Sequence, residues 1–361
     1  MAVHFHKLAV KNIIKETGDC VSVEFEIPEH LKQEFQYTQG QNINIKTNLN
    51  GEEIRRTYSL CTSPQENKLK VAIKKVNGGV FSTYANEQLK KGDVLEVMTP
   101  LGRFNTPLHP ENKKNYVAFA AGSGITPIIS LIKATLATEP QSSFTLIYGN
   151  RSRSSIIFFE ELEGLKNKYM QRFTLIHILS REKTDAAINF GRITKDKCTH
   201  LFEKLVDLQH ADEFFLCGPQ EMIMDVQDFL EANGVDEKKI HFELFTTDKK
   251  AKKYEVRSTK YDDAVTPSSK IEMKLDGRTF LFDIPLNSDA TILDAAMQQG
   301  ADVPYACKGG VCCTCKAKLV EGEVEMDVHW GLDHEEIEQG FILTCQSHPI
   351  TEKVVVDFDV K

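Results

Sequence analysis

Positive charge is not in excess in this 361-residue chain. Its 44 Lys and Arg stand against 52 Asp and Glu, a formal net charge of −8. Such a balance gives no reason to expect a nucleic-acid partner. An apolar leader is missing as well. The opening MAVHFHKLAVKNIIK scatters lysines among its apolar residues, so no secretory signal is expected and a cytoplasmic location is. No uninterrupted membrane span is evident either. Residues 115–132, NYVAFAAGSGITPIISLI, run for 18 residues without a charge, close to span length. Gly122, Gly124 and Pro127 break that run, so a strand, a glycine loop and a buried helix are expected, with no membrane association. Internal repeats and low-complexity segments are absent. What is plentiful is cysteine, with nine in all. In a cytoplasmic protein these do not read as a disulfide framework. Cys20, Cys61, Cys198 and Cys217 are scattered and suit small buried apolar positions. Four more crowd into residues 307–315, and Cys345 follows.

The length suggests two or three domains. Short alternating segments such as CVSVEFEI (20–27), NINIKT (42–47), RRTYSLCT (55–62) and KLKVAIKKV (68–76) predict a β-barrel over residues 1–110. The pattern then changes. Apolar strands NYVAFAAG, FTLIYGN, FTLIHILS and EFFLCGP alternate with helical stretches at 127–138, 156–169, 194–206 and 219–233. This predicts a doubly wound α/β domain over 111–248. Residues 249–269 are polar and lysine-rich and read as a linker. A third unit, 270–361, opens with an expected hairpin around Asp276-Gly277 and closes with the strand KVVVDF.

Cys307, Cys312, Cys315 and Cys345 give the spacing C-x4-C-x2-C-x29-C. Soft thiolates suit an iron–sulfur cluster, and this spacing is that of plant-type [2Fe–2S] sites. Gly309 and Gly310 let backbone N–H groups approach the cluster sulfurs. Cys313 falls outside the pattern and is expected to pack beside it. A zinc site would more often show two close ligand pairs, and a redox disulfide would sit in a different strand context.

RRTYSLCTSP (55–64) resembles the R-x-Y-S motif of the ferredoxin–NADP reductase family. VNGGVFSTYA (76–85), AAGSGITPIISLI (120–132) and FLCGPQEM (215–222) resemble that family's flavin-phosphate loop, nicotinamide-nucleotide loop and C-G-P-x-x-M segment. All occur in the family's order. The resemblance covers essentially the whole chain and implies an FAD-binding β-barrel, an α/β NAD(P)-binding domain and an α+β, β-grasp [2Fe–2S] ferredoxin domain. It implies that Arg56 meets the flavin pyrophosphate, Tyr58 lies against the isoalloxazine and Ser59 hydrogen-bonds near its N5. Gly78, Gly79, Val80 and Ser82 would face the second flavin phosphate, with helix N–H groups as donors. Gly122, Gly124, Thr126 and Pro127 would bind the nucleotide, and Cys217, Gly218 and Pro219 would lie at the nicotinamide. Ser59 and Cys217 would shape hydride transfer. Glu243 and Phe245 in HFELF either approach the flavin edge or simply end a strand.

The same resemblance implies NAD(P)H oxidation with electrons passing through FAD and the cluster to an oxygenase. RRTYSLC, TLIYGNRS, PYACKGGVC and VVVDFD are most similar to reductase subunits of multicomponent di-iron oxygenases that epoxidise phenylacetyl-CoA, which makes a di-iron oxygenase the expected partner. Reductases of other oxygenases carry similar modules. Arg151, Arg181 and Arg192 would surround an adenosine 2′-phosphate, favouring NADPH over NADH. Residues 270–361 hold 17 acids and 8 bases, and from Leu319 to Cys345 there are eight acids and no Lys or Arg. That stretch, with Glu335, Glu336 and Glu338 expected to cluster, reads either as a solvated surface or as a docking face for a basic partner.

Overall fold

The computed structural model describes residues 4–245, 267–286 and 288–360. They form two compact units, one of residues 5–245 and one lying beyond residue 245. Most of the expected linker, 249–266, lies outside the described residues, and a strand already begins at Ser268.

The first unit opens with strands β1 (Phe5–Thr17), β2 (Cys20–Glu26), β3 (Asn42–Leu49), β4 (Glu52–Ser59) and β5 (Leu69–Lys74), helix α1 (Val80–Glu87) and strand β6 (Val94–Met98). The six strands pair antiparallel in the order β4-β3-β6-β1-β2-β5. A bridge from Leu60 to Val71 brings the two edge strands together. Closure removes the edges that an open sheet would leave unpaired. Alternation drives the inward face: Leu69, Val71 and Ile73 are fully buried.

Strands β7 (Asn115–Ala121), β8 (Ser143–Asn150), β9 (Phe173–Leu179), β10 (Glu213–Cys217) and β11 (Ile240–Glu243) form a parallel sheet. Helices α2 (Ile125–Thr138), α3 (Phe159–Lys168), α4 (Lys195–Lys204) and α5 (Gln220–Ala232) connect them. The order is β11-β10-β7-β8-β9. The chain thus leaves β7 towards one side and later returns on the other, which makes the C-terminal ends of β7 and β10 a topological switch point, where α/β sheets bind ligands. The uncharged run of 115–132 is β7, a glycine turn and α2, and every residue of α2 from Ile125 to Leu136 is buried. α3 starts at Phe159, three residues later than its pattern suggests, because Phe158 takes a left-handed backbone (φ 62°) and cannot extend the helix. The connector between barrel and sheet is anchored by buried Glu139. Its carboxylate accepts from Tyr116 Oη (2.9 Å), Ser142 Oγ (2.7 Å), Asn112 Nδ2 (2.6 Å) and the His109 N–H (3.1 Å). Four donors satisfy a charge that would otherwise be costly to bury.

The second unit contains β12 (Ser268–Leu275), β13 (Arg278–Pro285), α6 (Ile292–Gln298), β14 (Lys316–Glu321), β15 (Val324–Met326), α7 (His334–Glu338), β16 (Phe341–Leu343), β17 (Ser347–Pro349) and β18 (Lys353–Asp357). Five strands pair as β13-β12-β18-β14-β16, with β15 and β17 as a separate pair. The β12–β13 turn has φ of 52° at Asp276 and 71° at Gly277, the paired positive values that a two-residue hairpin requires. Helix α6 packs Ile292, Leu293 and Ala296 into the core of this sheet. Among the described residues, no helix is long and apolar enough to cross a membrane.

Candidate functional site

In the first unit, β4 ends at Ser59, whose backbone is paired with Asn42 of β3. Ser59 is buried, and its hydroxyl donates to Glu243 Oε2 at 2.9 Å. The other carboxylate oxygen lies 3.5 Å from Asn42 Nδ2. Glu243 ends β11, directly opposite Cys217 at the end of β10. A serine from the barrel, a carboxylate and a cysteine thus meet where two parallel strands end. Cys217 is completely buried. Burial pushes its thiol well above the usual range, and Glu243 beside it adds to the shift. Its surroundings therefore disfavour the thiolate, the nucleophilic form.

The glycine loop abuts the same point. A Cβ on Gly124 would lie 2.0 Å from the Cys217 carbonyl oxygen and 2.9 Å from Gly218 N, so only glycine allows this approach. Tyr148 Oη donates to the Gly122 carbonyl at 2.8 Å. The Thr126 hydroxyl donates to Ser123 O at 3.0 Å, so it shapes the turn, while Pro127 is buried in the first turn of α2. Pro219 immediately precedes α5. Phe245 is exposed just beyond β11. This is a cradle of backbone and small side chains at the switch point, suited to a nucleotide.

On the flavin side, Tyr58 packs against Phe81 of α1, with ring centroids 5.7 Å apart, and burial raises its phenol. Arg56, two residues earlier on the same strand face, is exposed and donates to Arg55 O at 2.7 Å. Gly78 and Gly79 form the turn before α1, and Val80 is its exposed first residue. The Ser82 hydroxyl accepts from the Val76 N–H (3.1 Å) and donates to Gly79 O (3.2 Å), which ties the turn to the helix. The first-turn N–H groups of α1 have no partner within the helix, so an arginine and a helix N-terminus flank one aromatic surface. These residues fit a flavin nucleotide.

Arg151 and Arg181 follow β8 and β9, and the Arg181 N–H bonds to Arg151 O at 2.8 Å. Both side chains are exposed. Arg192 is exposed too and faces Glu221 at 3.9 Å.

In the second unit the four expected thiols fall into two pairs. Cys312 lies close enough to Cys307 to share a proton with it, and Cys315 likewise to Cys345. The proton shared with Cys312 draws the Cys307 thiol down to about 6 against its burial, helped by the Gly309 and Val311 N–H groups. Cys345 is lowered by the proton shared with Cys315, against burial, with help from Gln346 and the Gly310 N–H. Cys312 and Cys315 rise for the complementary reason. Among the described residues, no three His, Cys, Asp or Glu side chains converge on a single ion position. Two thiol pairs with N–H groups close to the sulfurs would suit a two-iron cluster, each pair supplying two thiolate ligands. Gly310 has φ 72°, and a Cβ there would meet Val328 Cγ2 at 2.6 Å. Cys313 has φ 47° and is half-buried against the core.

The acidic stretch divides. Glu335 and Glu338 are exposed, but Glu336 is buried and pairs with Lys316 at 2.7 Å. The expected cluster of three surface glutamates is therefore a surface pair plus one inward residue, because Glu336 lies on the face of α7 turned to the sheet. Sequence patterns also left out Asn42, Ser130 and Lys133. Ser130 lies inside the nucleotide-loop stretch without a role assigned there, Asn42 and Lys133 lie outside the family motifs, and only the fold brings them near Ser59 or the segment after it.

Comparison with known proteins accords with this geometry. Residues 7–106 match the oxidoreductase FAD-binding domain family, 119–228 the oxidoreductase NAD-binding domain family and 274–349 the 2Fe-2S iron-sulfur cluster binding domain family. The chain is 43% identical over 358 residues to a component of the 1,2-phenylacetyl-CoA epoxidase of Escherichia coli, covering 99% of this chain and 98% of that one. It is 33% identical over 357 residues to the ferredoxin reductase component of 3-ketosteroid-9-alpha-monooxygenase from Rhodococcus rhodochrous, covering 97% and 96%. Among solved structures, phthalate dioxygenase reductase superposes with a TM-score of 0.59 at 25% identity, over 98% of each chain. With three domain families in order and full-length similarity to such components, the chain belongs to the oxygenase reductases that join FAD-binding, NAD-binding and [2Fe–2S] domains in one polypeptide.

Proposed function

We propose that this reductase delivers electrons from NADPH to a di-iron oxygenase that epoxidises phenylacetyl-CoA. The 43% identity to the Escherichia coli epoxidase component, over nearly all of both chains, carries this reading. When bound, the cofactors would supply the redox chemistry, hydride acceptance at the flavin and one-electron transfer at the cluster, so that the two electrons of a hydride are passed on singly and its proton is released. The chain's own residues hold and orient. Arg56 and the α1 N-terminus neutralise flavin phosphates, and Tyr58 covers one ring face. Ser59, held by Glu243, presents its hydroxyl at the hydride site, and Cys217, whose thiolate is disfavoured there, adds no second negative charge beside Glu243. The loop at Gly122 and Gly124 and the Gly218 segment seat the nucleotide. Cys307, Cys312, Cys315 and Cys345 ligate the cluster, with Cys313 as a bystander.

Arg151 and Arg181 support the preference for NADPH, since two exposed arginines whose backbones are hydrogen-bonded to each other can both serve a phosphate. Arg192 contributes less, because Glu221 partly offsets its charge. Replacing Arg151 and Arg181 with Ala should lower the specificity constant for NADPH far more than that for NADH. Equal constants in the wild type would remove the preference.

Reconstitution tests the partner. The protein is mixed with candidate oxygenases and NADPH, and epoxidation of phenylacetyl-CoA is compared with steroid hydroxylation. Turnover confined to a non-di-iron oxygenase would overturn the assignment while leaving the reductase chemistry in place.

A further inference from the structure

Ser130 and Lys133 of helix α2 are buried polar residues that neither the flavin nor the nucleotide motifs use. Ser130 is fully buried, and its hydroxyl donates to Thr62 O at 2.6 Å while accepting from the Gly40 N–H at 3.3 Å. Lys133 is 8% exposed. Its ammonium donates to Cys61 O at 3.2 Å, pairs with Glu66 at 3.3 Å and forms a closer ion pair with Glu161 of α3. Gln65 Nε2 adds a bond to Thr138 Oγ1 at 3.0 Å. Lysine is almost never buried unless paired, and apolar residues would fill such positions with less desolvation. These polar groups therefore serve a geometric end.

The end is visible in what they grip. Cys61 and Thr62 directly follow Leu60 and Ser59. α2 itself starts at the glycine turn of the nucleotide cradle. Ser130 lies six residues along that helix from Gly124, or about 9 Å at 1.5 Å per residue. One rigid helix thus holds the nucleotide turn at its tip and the exit of the flavin strand on its flank.

We propose that Ser130 and Lys133 are positioning residues for hydride transfer. By clamping the Cys61 and Thr62 carbonyls to α2, they fix Ser59 relative to the nicotinamide cradle. The inference rests on the reading of Ser59 and Cys217 as the hydride site. Reacting atoms must approach within about 3–3.5 Å, and a displacement of about 1 Å can cost on the order of 100-fold in rate.

The test uses the full-length holoprotein and three variants: Ser130→Ala, Lys133→Arg, and the double variant Lys133→Met with Glu161→Gln. The double variant removes both partners of the closest ion pair, so no unpaired charge of that pair remains to prevent folding. Anaerobic stopped-flow gives the limiting rate of flavin reduction and the nucleotide dissociation constant. Nucleotide deuterated at the transferred position gives the isotope effect. Ser130→Ala and the double variant should lose about 10- to 100-fold in limiting rate. Flavin content and nucleotide affinity should stay within about twofold, the isotope effect should rise, and Lys133→Arg should recover most of the rate. A limiting rate within about twofold of wild type in both disrupted variants overturns the proposal, as does a loss explained wholly by missing flavin. If Ser59→Ala also leaves the rate unchanged, the hydride-site reading itself has failed. If Ser59→Ala is slow while the α2 variants are not, the clamp alone is wrong.

Discussion

Removal of the Ser59 hydroxyl is the most direct test of the convergent site. The bond from Ser59 to Glu243 is 2.9 Å long and buried on the serine side. A hydrogen bond to a charged group contributes about 1.5–3 kcal/mol. Each 1.4 kcal/mol lost from transition-state stabilisation is about a factor of 10 in rate. If the bond positions the hydroxyl for hydride transfer, Ser59→Ala should slow flavin reduction by about 10- to 150-fold. The loss should fall on the limiting rate, with little change in nucleotide affinity, because the hydroxyl that this bond positions acts in the chemical step and not in nucleotide binding. Glu243→Gln keeps an acceptor oxygen and removes only the charge, so its loss should be smaller. The assay is anaerobic stopped-flow at increasing nucleotide concentration, monitored by flavin bleaching. A limiting rate equal to wild type in Ser59→Ala, with full flavin content, would refute the argument. So would a change confined to nucleotide affinity.

The cluster ligands can be separated from their neighbour by single substitutions. Ser at Cys307, Cys312, Cys315 or Cys345 should lose iron and the cluster's share of the visible absorption while the flavin's remains, whereas Cys313→Ser should retain both; the opposite pattern rejects the assignment. His177 predicts a pH effect on stability. Burial between Tyr148 and Phe159 lowers its pKa, and Lys166 adds to this while Glu163 opposes it. The unfolded chain therefore binds a proton at about pH 6.5 that the folded chain takes up only at lower pH, so stability falls as pH drops below that value. His177→Phe should flatten this part of the profile, and an identical slope in thermal melts at pH 5–7 would contradict it. Glu335→Gln with Glu338→Gln should weaken the salt dependence of oxygenase turnover but spare flavin reduction, because screening shortens from about 10 Å at 0.1 M to about 3 Å at 1 M. Turnover indifferent to salt in wild type and variant alike would dismiss the docking face.

Local pattern carried much of the fold. Glycine and proline divided the uncharged run of 115–132 into strand, turn and helix, and the Asp276-Gly277 pair marked its hairpin. β1 was harder to see. It is the longest strand, yet register shifts near Asn12 and Lys15 break its alternation, and its lysines obscure the apolar face. For the site, residues inside contiguous motifs were legible because each motif is a short local segment, a strand end or a glycine turn, with its own backbone demands. Asn42, Ser130 and Lys133 were not, since they act across sequence separations that only the packed sheets and helices bring together. Glu336 misled for a related reason. In sequence it belongs to an acidic run, but helical phase turns it towards Lys316 while its neighbours face solvent.

The loop that carries Cys307 and Cys312 is bolted to the acidic segment. The Gly331 N–H bonds to Gly310 O at 2.8 Å, and Val328 fills the space that a side chain at Gly310 would need. Neither loop can shift without the other. The span from the thiol pairs to the surface at residues 328–331 is therefore set by hydrogen bonding and packing within this unit. An acceptor meeting that surface finds this part of the distance already set, and only its own approach remains to be adjusted.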